Sequence, residues 1–398
     1  MKKLYPIISL CLIVGVACKK NDNSSPTPPP VNPNTPFPTL TTAAEVQLKL
    51  DSVSAGLRPM YQNLVIADGV MSDDADCSGN SSYCAFDNFT LTSTAAAVDS
   101  VWRNAYFQNV PLLNYALRDL PGMNIPDDQK KDLIAQAKGL RGYIYLEILT
   151  YFGGAPLQDS LTRAFGSGVV RLTPDYLYDS LVADLTAAAA DLPATRSSGK
   201  GALTHYAAIG LLAKAALYKK DYATLAGYTS QIINNGGYTL ATLNTWLTDP
   251  ATTETIWAPA FSGIGVTASW YYPANTFTGI TVQYCPVLRY GQILMMDVEA
   301  QVALGNYPSA LATVGTIRAR NGMTPAIFTD ATSAFIVFAA TWQKENYRQG
   351  DRFANLVRWG IAATALGANG YHNGTNNLLP VPQAILNANA GLNQNPGY

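Results

Sequence analysis

The chain has 398 residues, of which 48% are apolar, and this is enough to bury a substantial core. Its 26 basic and 27 acidic residues give a net charge of −1, which excludes the basic surface that nucleic acid or anionic lipid would require. Charged residues are only 13% of the chain, about half the usual share, and the neutral polar surface that this predicts is typical of exported proteins and suits uncharged ligands.

The N-terminus has the features of a secretory signal. Two lysines precede an apolar run that is too short to span a bilayer as a helix. The run ends in "GVACKK", whose small residues before Cys18 resemble a bacterial lipoprotein signal, in which the cysteine becomes the lipidated first residue. Residues 1–17 are therefore predicted to be removed, and the Pro-, Asn- and Ser-rich residues 18–40 to form a flexible tether. An ordinary signal peptide with an incidental cysteine is the alternative, because Gly15 stands where the usual pattern has leucine.

The sequence predicts a series of helices from residue 41 to residue 243. The first, "TTAAEVQLKLDSVSAGLRPMYQNLV", begins with Thr42 followed three residues later by Glu45, which is the pattern of a capping box. The next, "STAAAVDSVWRNAYFQNVPLLNYALRDL", is expected to kink or break at Pro111, because proline lacks the amide proton and clashes with the preceding turn.

A long helix is predicted to end in the stretch "LRGYIYLEILTYFGGAPL". Apolar residues recur at steps of three and four from Leu133 to Tyr151 with charged residues among them, which indicates a buried helix and not a membrane span. Gly153 and Gly154 then end the helix, and Pro156 prevents its continuation. A phosphate-binding loop has its glycines before a helix N-terminus, so the order of the elements excludes that function.

Two later segments each predict a pair of antiparallel helices. They are "ALTHYAAIGLLAKAALYKKDYATLAGYTSQIINNGGY" and "LRYGQILMMDVEAQVALGNYPSALATVGTIRARNG". Each has small residues in its first helix and a short polar corner, as tetratricopeptide-like hairpins do, although the two units do not recur at a fixed period. His205, in the first unit, is expected to be a helical residue with satisfied hydrogen bonds.

Between these units, residues 244–284 differ in composition. They are rich in aromatic residues, Thr, Gly and Pro, with short strand-like runs and few helix formers. This segment predicts an irregular lobe inserted between a helical part, residues 41–243, and a C-terminal part, residues 285–398. Together these parts are predicted to form a single domain over residues 41–398.

These segments, in this order, resemble the SusD/RagB family of outer-membrane nutrient-binding lipoproteins. Besides the helix that ends in "RGYIYLEILTYFGGAPL", the similar blocks are "TTETIWAP", "VLRYGQILMMDVEAQVALGNYPSALATVGTIRARNGM", "ENYRQGDRFANLVRWG" and the tail "NLLPVPQAILNANAGLNQNPGY". The residues at matching positions are Arg289, Tyr290, Glu299, Gly350, Arg352, Phe353, Leu356, Arg358, Trp359 and Gly360. The chain departs from the family at Asp297, Val298 and Gln349, and it is short for the family.

The resemblance implies an all-α SusD-like fold of tetratricopeptide-like helix pairs with an irregular, inserted ligand-side lobe. It implies that the protein is held on the outer membrane by the lipid on Cys18, captures oligosaccharide and passes it to a SusC-like TonB-dependent transporter, and breaks no bond. Two alternatives remain open at this point. Some members of the family deliver peptides to their transporter, and a glycoside hydrolase of the cell envelope is the second alternative.

The residue pattern gives little support to catalysis. Of the two histidines, His205 lies in a predicted helix and His372 in a Gly/Asn loop, so His-based metal sites and most nucleophilic triads lack parts. A glycoside hydrolase needs two carboxylates a few ångström apart, and no pair is singled out. The sequence therefore predicts no enzyme and no cofactor.

Aromatic residues in loops are the predicted ligand contacts, because the flat C–H faces of sugars stack on aromatic rings without any charge. The set in the lobe is Trp270, Tyr271, Tyr272 and Asn275, and the second set is Tyr83 and Phe86. For any single ring, packing in the core is the alternative. Core positions are expected for Trp102, Trp257, Trp342 and Trp359.

The segment "SDDADCSGNSSYCAFD" offers two further predictions. In an oxidising compartment Cys77 and Cys84 can close a small disulfide loop, and two free thiols are the alternative. Asp74 and Asp76 stand at alternate positions, as at the start of a calcium loop, but the twelfth position, which needs a bidentate acid, is Ala85. Calcium is therefore a weak candidate, and a solvated loop or a loop that contacts ligand is the alternative.

Overall fold

The structure is a computed structural model in which the described residues are 39–77, 81–103, 109–156, 171–243, 245, 249, 251–259, 286–347, 349–389 and 391–398. All of them belong to one unit, residues 37–398. Regular structure in these ranges is almost entirely helical, which confirms the predicted all-α class. No helix within them is long and apolar enough to cross a membrane.

The bounds of the elements are as follows. The helices are α1 (Ala43–Val70), α2 (Cys84–Asp87), α3 (Ala96–Trp102), α4 (Val110–Asp119), α5 (Asp127–Phe152), α6 (Pro174–Asp191), α7 (His205–Lys219), α8 (Tyr222–Asn235), α9 (Tyr290–Ala303), α10 (Tyr307–Arg320), α11 (Ala331–Glu345), α12 (Arg352–Trp359), α13 (Ala362–Leu366) and α14 (Gln383–Ala388). Strands β1 (Thr255–Trp257) and β2 (Leu288–Arg289) pair in antiparallel fashion, with Thr255 opposite Arg289 and Trp257 opposite Leu288.

The first helix begins with the predicted capping box. The Thr42 hydroxyl accepts a hydrogen bond from the Glu45 amide at 3.2 Å, and the Glu45 carboxylate accepts one from the Thr42 amide at 3.0 Å. These two bonds satisfy amide donors that the first turn of a helix leaves without partners. The expected break before Pro111 is also confirmed, because Pro111 lies in the first turn of α4.

Helix α5 is the central element of the core. It ends where predicted, at Gly153, whose φ of +79° lies in the left-handed region that favours glycine. Within the helix, two other glycines permit close packing: a Cβ on Gly142 would lie 2.7 Å from Leu185 of α6, and one on Gly139 would lie 2.7 Å from Leu203. The stretch "LRGYIYLEILTYFGG" is therefore buried scaffold.

From α5 to α11, each helix packs against its neighbour in the chain. The predicted hairpins are confirmed as α7 with α8 and α9 with α10. The first corner is made by Lys220, in the left-handed conformation at φ +57°, and by Asp221, which caps α8. The second corner contains Gly305 at φ +79°. Because neighbours alternate in direction, α5, α7 and α9 run the same way.

Helix α12 is attached to the end of α1 by a buried carboxylate. Asp68 accepts hydrogen bonds from the amides of Phe353 and Ala354, at 3.0 and 3.1 Å, and from the Tyr151 hydroxyl at 3.0 Å. Desolvation, with Asp351 nearby, raises the pKa of Asp68 to about 7. The carboxylate thus satisfies amides at the N-terminus of α12 and joins it to both α1 and α5.

Three of the four tryptophans expected in the core are buried, namely Trp102, Trp257 and Trp342. The fourth, Trp359, is only partly buried: its ring lies edge-on to Phe338 at 5.6 Å, and its Nε1 donates to Glu299 at 3.2 Å. His205 stands at the first position of α7, and its Nδ1 lies 2.7 Å from the Ala189 carbonyl oxygen. Its partner agrees with the prediction of a satisfied histidine.

Candidate functional site

The acidic segment after α1 forms a loop closed by a disulfide between Cys77 and Cys84, with an S–S distance of 2.07 Å. We call residues 73–88 the disulfide loop; residues 78–80 of it lie outside the described residues. Asp87 accepts a hydrogen bond from the Cys77 amide at 3.1 Å, so a hydrogen bond also links the two sides of the loop. A crosslink of this kind lowers the entropy of the unfolded chain and holds the loop in one conformation.

Two acidic side chains anchor the disulfide loop to the C-terminal part. Arg352 donates to both carboxylate oxygens of Asp73, at 2.6 and 2.8 Å. Burial alone would raise the pKa of Asp73, but Arg352 outweighs burial and lowers it. Asp74 accepts from Gln343 Nε2 at 2.8 Å, and desolvation raises its pKa to about 7. The loop is thus positioned by residues more than 250 positions downstream in the chain.

The disulfide loop gives Tyr83 and Phe86 different environments. Tyr83 is partly exposed, whereas Phe86 is only 1% exposed. The ring centroids are 5.5 Å apart, so Phe86 supports the ring of Tyr83 from the core side. The prediction that Phe86 contacts ligand is therefore corrected: its ring has no accessible face, while Tyr83 remains a candidate.

The calcium candidate is not supported by the described part of the loop. Asp74 is buried and held by Gln343, whereas Asp76 lies exposed. Among the described residues, no group of three or more His, Cys, Asp or Glu side chains is placed to hold a metal ion. A hard cation needs several converging oxygens, and the two aspartates face different surroundings.

Beside the disulfide loop lies a Gly/Asn loop, residues 367–377, which supplies exposed amides. Asn369 Nδ2 lies 3.5 Å from the Asp87 carboxylate, and the ring of Tyr371 packs edge-on to Phe89 at 5.3 Å. Exposed amides on this combined surface are those of Asn88, Asn369 and Asn373. Neutral amides both donate and accept hydrogen bonds, so they suit hydroxyl-rich ligands. The amide-rich stretch "GANGYHNGTNN" is visible in the sequence, but only the contacts of Asn369 with Asp87 and of Tyr371 with Phe89 place it next to the disulfide loop.

The lobe residues predicted to bind ligand, Trp270, Tyr271, Tyr272 and Asn275, lie outside the described residues. What is described is the base of the lobe, where β1 leads into the segment and β2 follows it. Trp257 of β1 is buried against Tyr143 of α5 at 5.0 Å, edge to face. The two ends of the lobe are therefore fixed to the helical core.

Three tyrosines at this base form a set that sequence reasoning missed. Tyr206, Tyr238 and Tyr290, which we call the tyrosine strip, are all partly exposed. The rings of Tyr206 and Tyr238 are perpendicular at 6.1 Å, and those of Tyr238 and Tyr290 are inclined by 29° at 6.5 Å. They meet because Tyr206 and Tyr290 begin the parallel helices α7 and α9, whereas Tyr238 follows the end of the antiparallel α8. No local pattern in the sequence reports this convergence.

Hydrogen bonds join the tyrosine strip to the lobe ends. The Tyr290 amide donates to the Glu254 carbonyl at 2.8 Å, and the Ala258 amide donates to the Lys200 carbonyl at 2.9 Å. The Lys200 ammonium lies 5.1 Å from the ring centre of Tyr238, and burial lowers its pKa. The strip thus presents aromatic rings with an ammonium and hydroxyls next to the lobe, a combination that can stack on a sugar ring and bond its hydroxyls.

Three of the residues that carry the family resemblance, Arg289, Glu299 and Arg358, form ion pairs that are largely buried. Arg289 donates to Glu254 at 2.6 Å and also pairs with Glu345, and all three side chains are 0% exposed. Arg320 joins both carboxylates. Burial alone would raise the pKa of Glu345, but Arg289 and Arg320 outweigh it and hold the pKa below its usual value. Arg358 pairs likewise with Glu299. These residues fix α9, α10, α11 and the lobe base relative to one another.

Two family models match the chain. One, described as starch-binding and associating with the outer membrane, matches residues 31–217, and one described as the SusD family matches residues 219–378. Together they span the N-terminal helices, the lobe and most of the C-terminal part. No curated protein matches the chain.

Several solved structures have a similar fold. A laminarin-binding SusD-like protein is 22% identical with a TM-score of 0.75, covering 91% of this chain and 100% of that one. A SusD superfamily protein from Bacteroides vulgatus is 17% identical with a TM-score of 0.78 and the same coverage. Surface glycan-binding protein A from Bacteroides thetaiotaomicron, in complex with laminarihexaose, is 18% identical with a TM-score of 0.73, covering 90% and 100%. At these identities the likeness shows the fold.

Proposed function

Because this chain belongs to the SusD/RagB family, we propose that it is a cell-surface glycan-binding lipoprotein without catalytic activity. Held on the outer membrane by a lipid on Cys18, it captures oligosaccharide and delivers it to a SusC-like TonB-dependent transporter. The outer-membrane description of the matching N-terminal model supports the location. Two structures of the same fold, named for laminarin and glycan binding, support a neutral glycan as the ligand class.

The observation that carries this proposal is the tyrosine strip at the base of the aromatic lobe. Rings of Tyr206, Tyr238 and Tyr290 are partly exposed beside the two chain ends that lead into the lobe. An aromatic surface flanked by tyrosine hydroxyls and the Lys200 ammonium can stack on a sugar ring and bond its hydroxyls, so it suits a hydroxyl-rich ligand. The low charge of the whole chain agrees with this ligand class.

We place the ligand contacts on the lobe and the surfaces around it. The lobe contributes Trp270, Tyr271, Tyr272 and Asn275, and the disulfide loop contributes Tyr83. Each neutral hydrogen bond contributes only about 1 kcal/mol net, so the affinity rests on stacking and on several contacts at once. Weak, reversible binding of this kind suits a protein that must release its ligand to a transporter.

Native gel electrophoresis in the presence of laminarin tests the site. The native chain is expected to be retarded by laminarin. The Trp270→Ala/Tyr271→Ala/Tyr272→Ala variant is expected to lose this retardation, because three stacking surfaces are removed. Tyr176, which is 54% exposed on α6, provides a matched control, and Tyr176→Ala should behave as the native chain. Retardation that survives in the triple variant would contradict the placement of the site on the lobe.

Partnership with a transporter is tested separately by affinity purification of the full chain from outer membranes in mild detergent. A TonB-dependent transporter of the SusC type should co-purify in a stoichiometric amount. Co-purification of no outer-membrane protein would contradict the delivery step and leave glycan binding unaffected.

A further inference from the structure

A cavity of about 460 Å³ lies inside the helical array, and none of the three tyrosines of the strip is among its lining residues. Its walls come from α1, α5, α7 and α9 on one side and from α12 with the preceding turn on the other. The exposed Lys220 lies at its edge, so the cavity reaches the surface at the corner between α7 and α8. At about 30 Å³ per water molecule, the space exceeds by far what one or two bridging waters fill.

Two opposite charges face this cavity without touching each other. Glu147 of α5 and Lys214 of α7 both line it, and each is within electrostatic reach of the other. Within the described part of the chain, neither has a hydrogen bond or an ion pair. Burial raises the pKa of Glu147, and Lys214 opposes this shift. A partly buried carboxylate and ammonium held apart in this way leave hydrogen-bonding capacity for a ligand in the cavity.

A third polar group in the wall also lacks a partner. Asn355 is only 4% exposed; its Oδ1 accepts from Arg358 at 2.8 Å, whereas its Nδ2 has no hydrogen-bond partner among the described residues. A buried amide donor without an acceptor costs free energy, and native structures contain few of them. An acceptor bound in the cavity would satisfy it.

The remaining wall is apolar, with Leu64, Leu146, Met296 and Phe353 among its residues. An apolar ligand would leave Glu147, Lys214 and Asn355 without partners. The lining carries acidic side chains, Glu147 and Asp351, as well as basic ones, Lys214, Lys220 and Arg358. A ligand with a net charge of either sign would therefore meet like charge in the wall. A neutral molecule that carries both donors and acceptors, together with C–H faces for the apolar wall, meets all three conditions.

We propose that this cavity binds a small neutral polyhydroxyl molecule, of the size of about one or two sugar rings. Hydroxyl groups donate to Glu147 and accept from Lys214 and from Asn355 Nδ2, and the C–H faces pack on Leu146 and Met296. Its lining residues are not among those proposed above to contact glycan, so it stands or falls independently of the proposed function.

Isothermal titration calorimetry of the full chain in detergent tests this site, with glucose and myo-inositol as probes and leucine as a zwitterion of comparable size. One of the polyols is expected to bind. Binding should weaken about tenfold or more in Lys214→Met and in Glu147→Gln, because a hydrogen bond to a charged group is lost. Thermal unfolding of both variants shows whether they remain folded. Glu147→Gln should perturb the packing less than Lys214→Met, because it keeps the shape of the side chain.

Two further measurements distinguish ligand binding at the tyrosine strip from ligand binding in the cavity. Tyr238→Ala should leave polyol binding unchanged, and Lys214→Met should leave retardation by laminarin unchanged. The proposal is overturned if neither polyol binds the native chain, if both cavity variants bind as the native chain does, or if leucine binds in place of the polyols. A loss of polyol binding in Tyr238→Ala alone would move the site to the surface and overturn it equally.

Discussion

Arg289 and Glu345 form an ion pair from which water is excluded, since both side chains are 0% exposed. Arg289 belongs to the block that enters α9, and Glu345 ends α11, so the pair joins two helices across the C-terminal part. Glu254, which precedes β1, completes the cluster from the lobe side. Arg289, at one of the positions that resemble the family, therefore helps to hold the lobe base in place.

Removal of one partner of this cluster should be costly. Glu345→Gln is expected to lower the free energy of unfolding by about 3–5 kcal/mol, because it leaves buried guanidinium charge without full compensation. Chemical denaturation followed by circular dichroism measures the change. Asp99→Asn, at the exposed ion pair of Arg103 with Asp99, is the matched control and should have little effect. Equal effects of the two substitutions would contradict the structural role of the cluster.

Glycine substitutions probe the same cluster sterically. A Cβ on Gly291 would lie 2.2 Å from both the Arg289 guanidinium and the Glu345 carboxylate, so Gly291→Ala should destabilise the fold. Gly227, exposed within α8, has nothing within 4 Å of such a Cβ, and Gly227→Ala should stabilise the protein by up to about 1 kcal/mol. Denaturation midpoints measured in parallel should shift in opposite directions. An unchanged or raised midpoint for Gly291→Ala would show that the cluster tolerates rearrangement.

The disulfide should contribute both stability and loop order. Cys77→Ser/Cys84→Ser is expected to lower the free energy of unfolding by about 2 kcal/mol, since the crosslinked loop is short. Reductant should reproduce the loss in the native chain and have no effect on the variant. If Tyr83 contacts glycan, retardation by laminarin should weaken in the same variant. An unchanged unfolding curve under reducing conditions would contradict a structural role for the bond.

The pH dependence of stability should reflect the buried aspartate of the disulfide loop. Desolvation raises the pKa of Asp74 to about 7 from its ordinary value of 3.8. The folded state therefore binds more protons than the unfolded state between these values, and stability falls as pH rises from about 4 to 7. Asp74→Asn removes this contribution and should flatten the dependence measured by thermal unfolding from pH 5 to 8. Asp68, whose pKa is also about 7, should account for the pH dependence of stability that remains in this variant. If Asp74→Asn leaves the pH dependence of stability unchanged, the raised pKa of Asp74 is contradicted.

Much of the helical scaffold follows from local patterns in the sequence. The capping box at Thr42, the end of α5 at Gly153 and the corner at Gly305 each depend on residues within one or two turns. Such features can be predicted from the sequence because helix caps and left-handed glycines depend only on neighbouring residues. The order of the family-like blocks then supplies the fold.

The candidate site is less accessible from the sequence, because it depends on residues that meet only after folding. Tyr83 and Phe86 look alike in the sequence, yet the packing of the disulfide loop exposes one ring and buries the other. The tyrosine strip requires three helices to assemble in register, and the pairing of Asp73 with Arg352 joins positions far apart in the chain. Aromatic content predicts that rings are present, but only tertiary contacts decide which of them face outward.

Capture of an intact neutral glycan is the central claim, and incubation of the full chain with a panel of neutral oligosaccharides tests it most directly. Binding and the reducing ends in solution are measured on the same samples. We expect at least one oligosaccharide to bind while the number of reducing ends stays constant. Absence of binding to every glycan in the panel, or the appearance of new reducing ends, would contradict the proposed function.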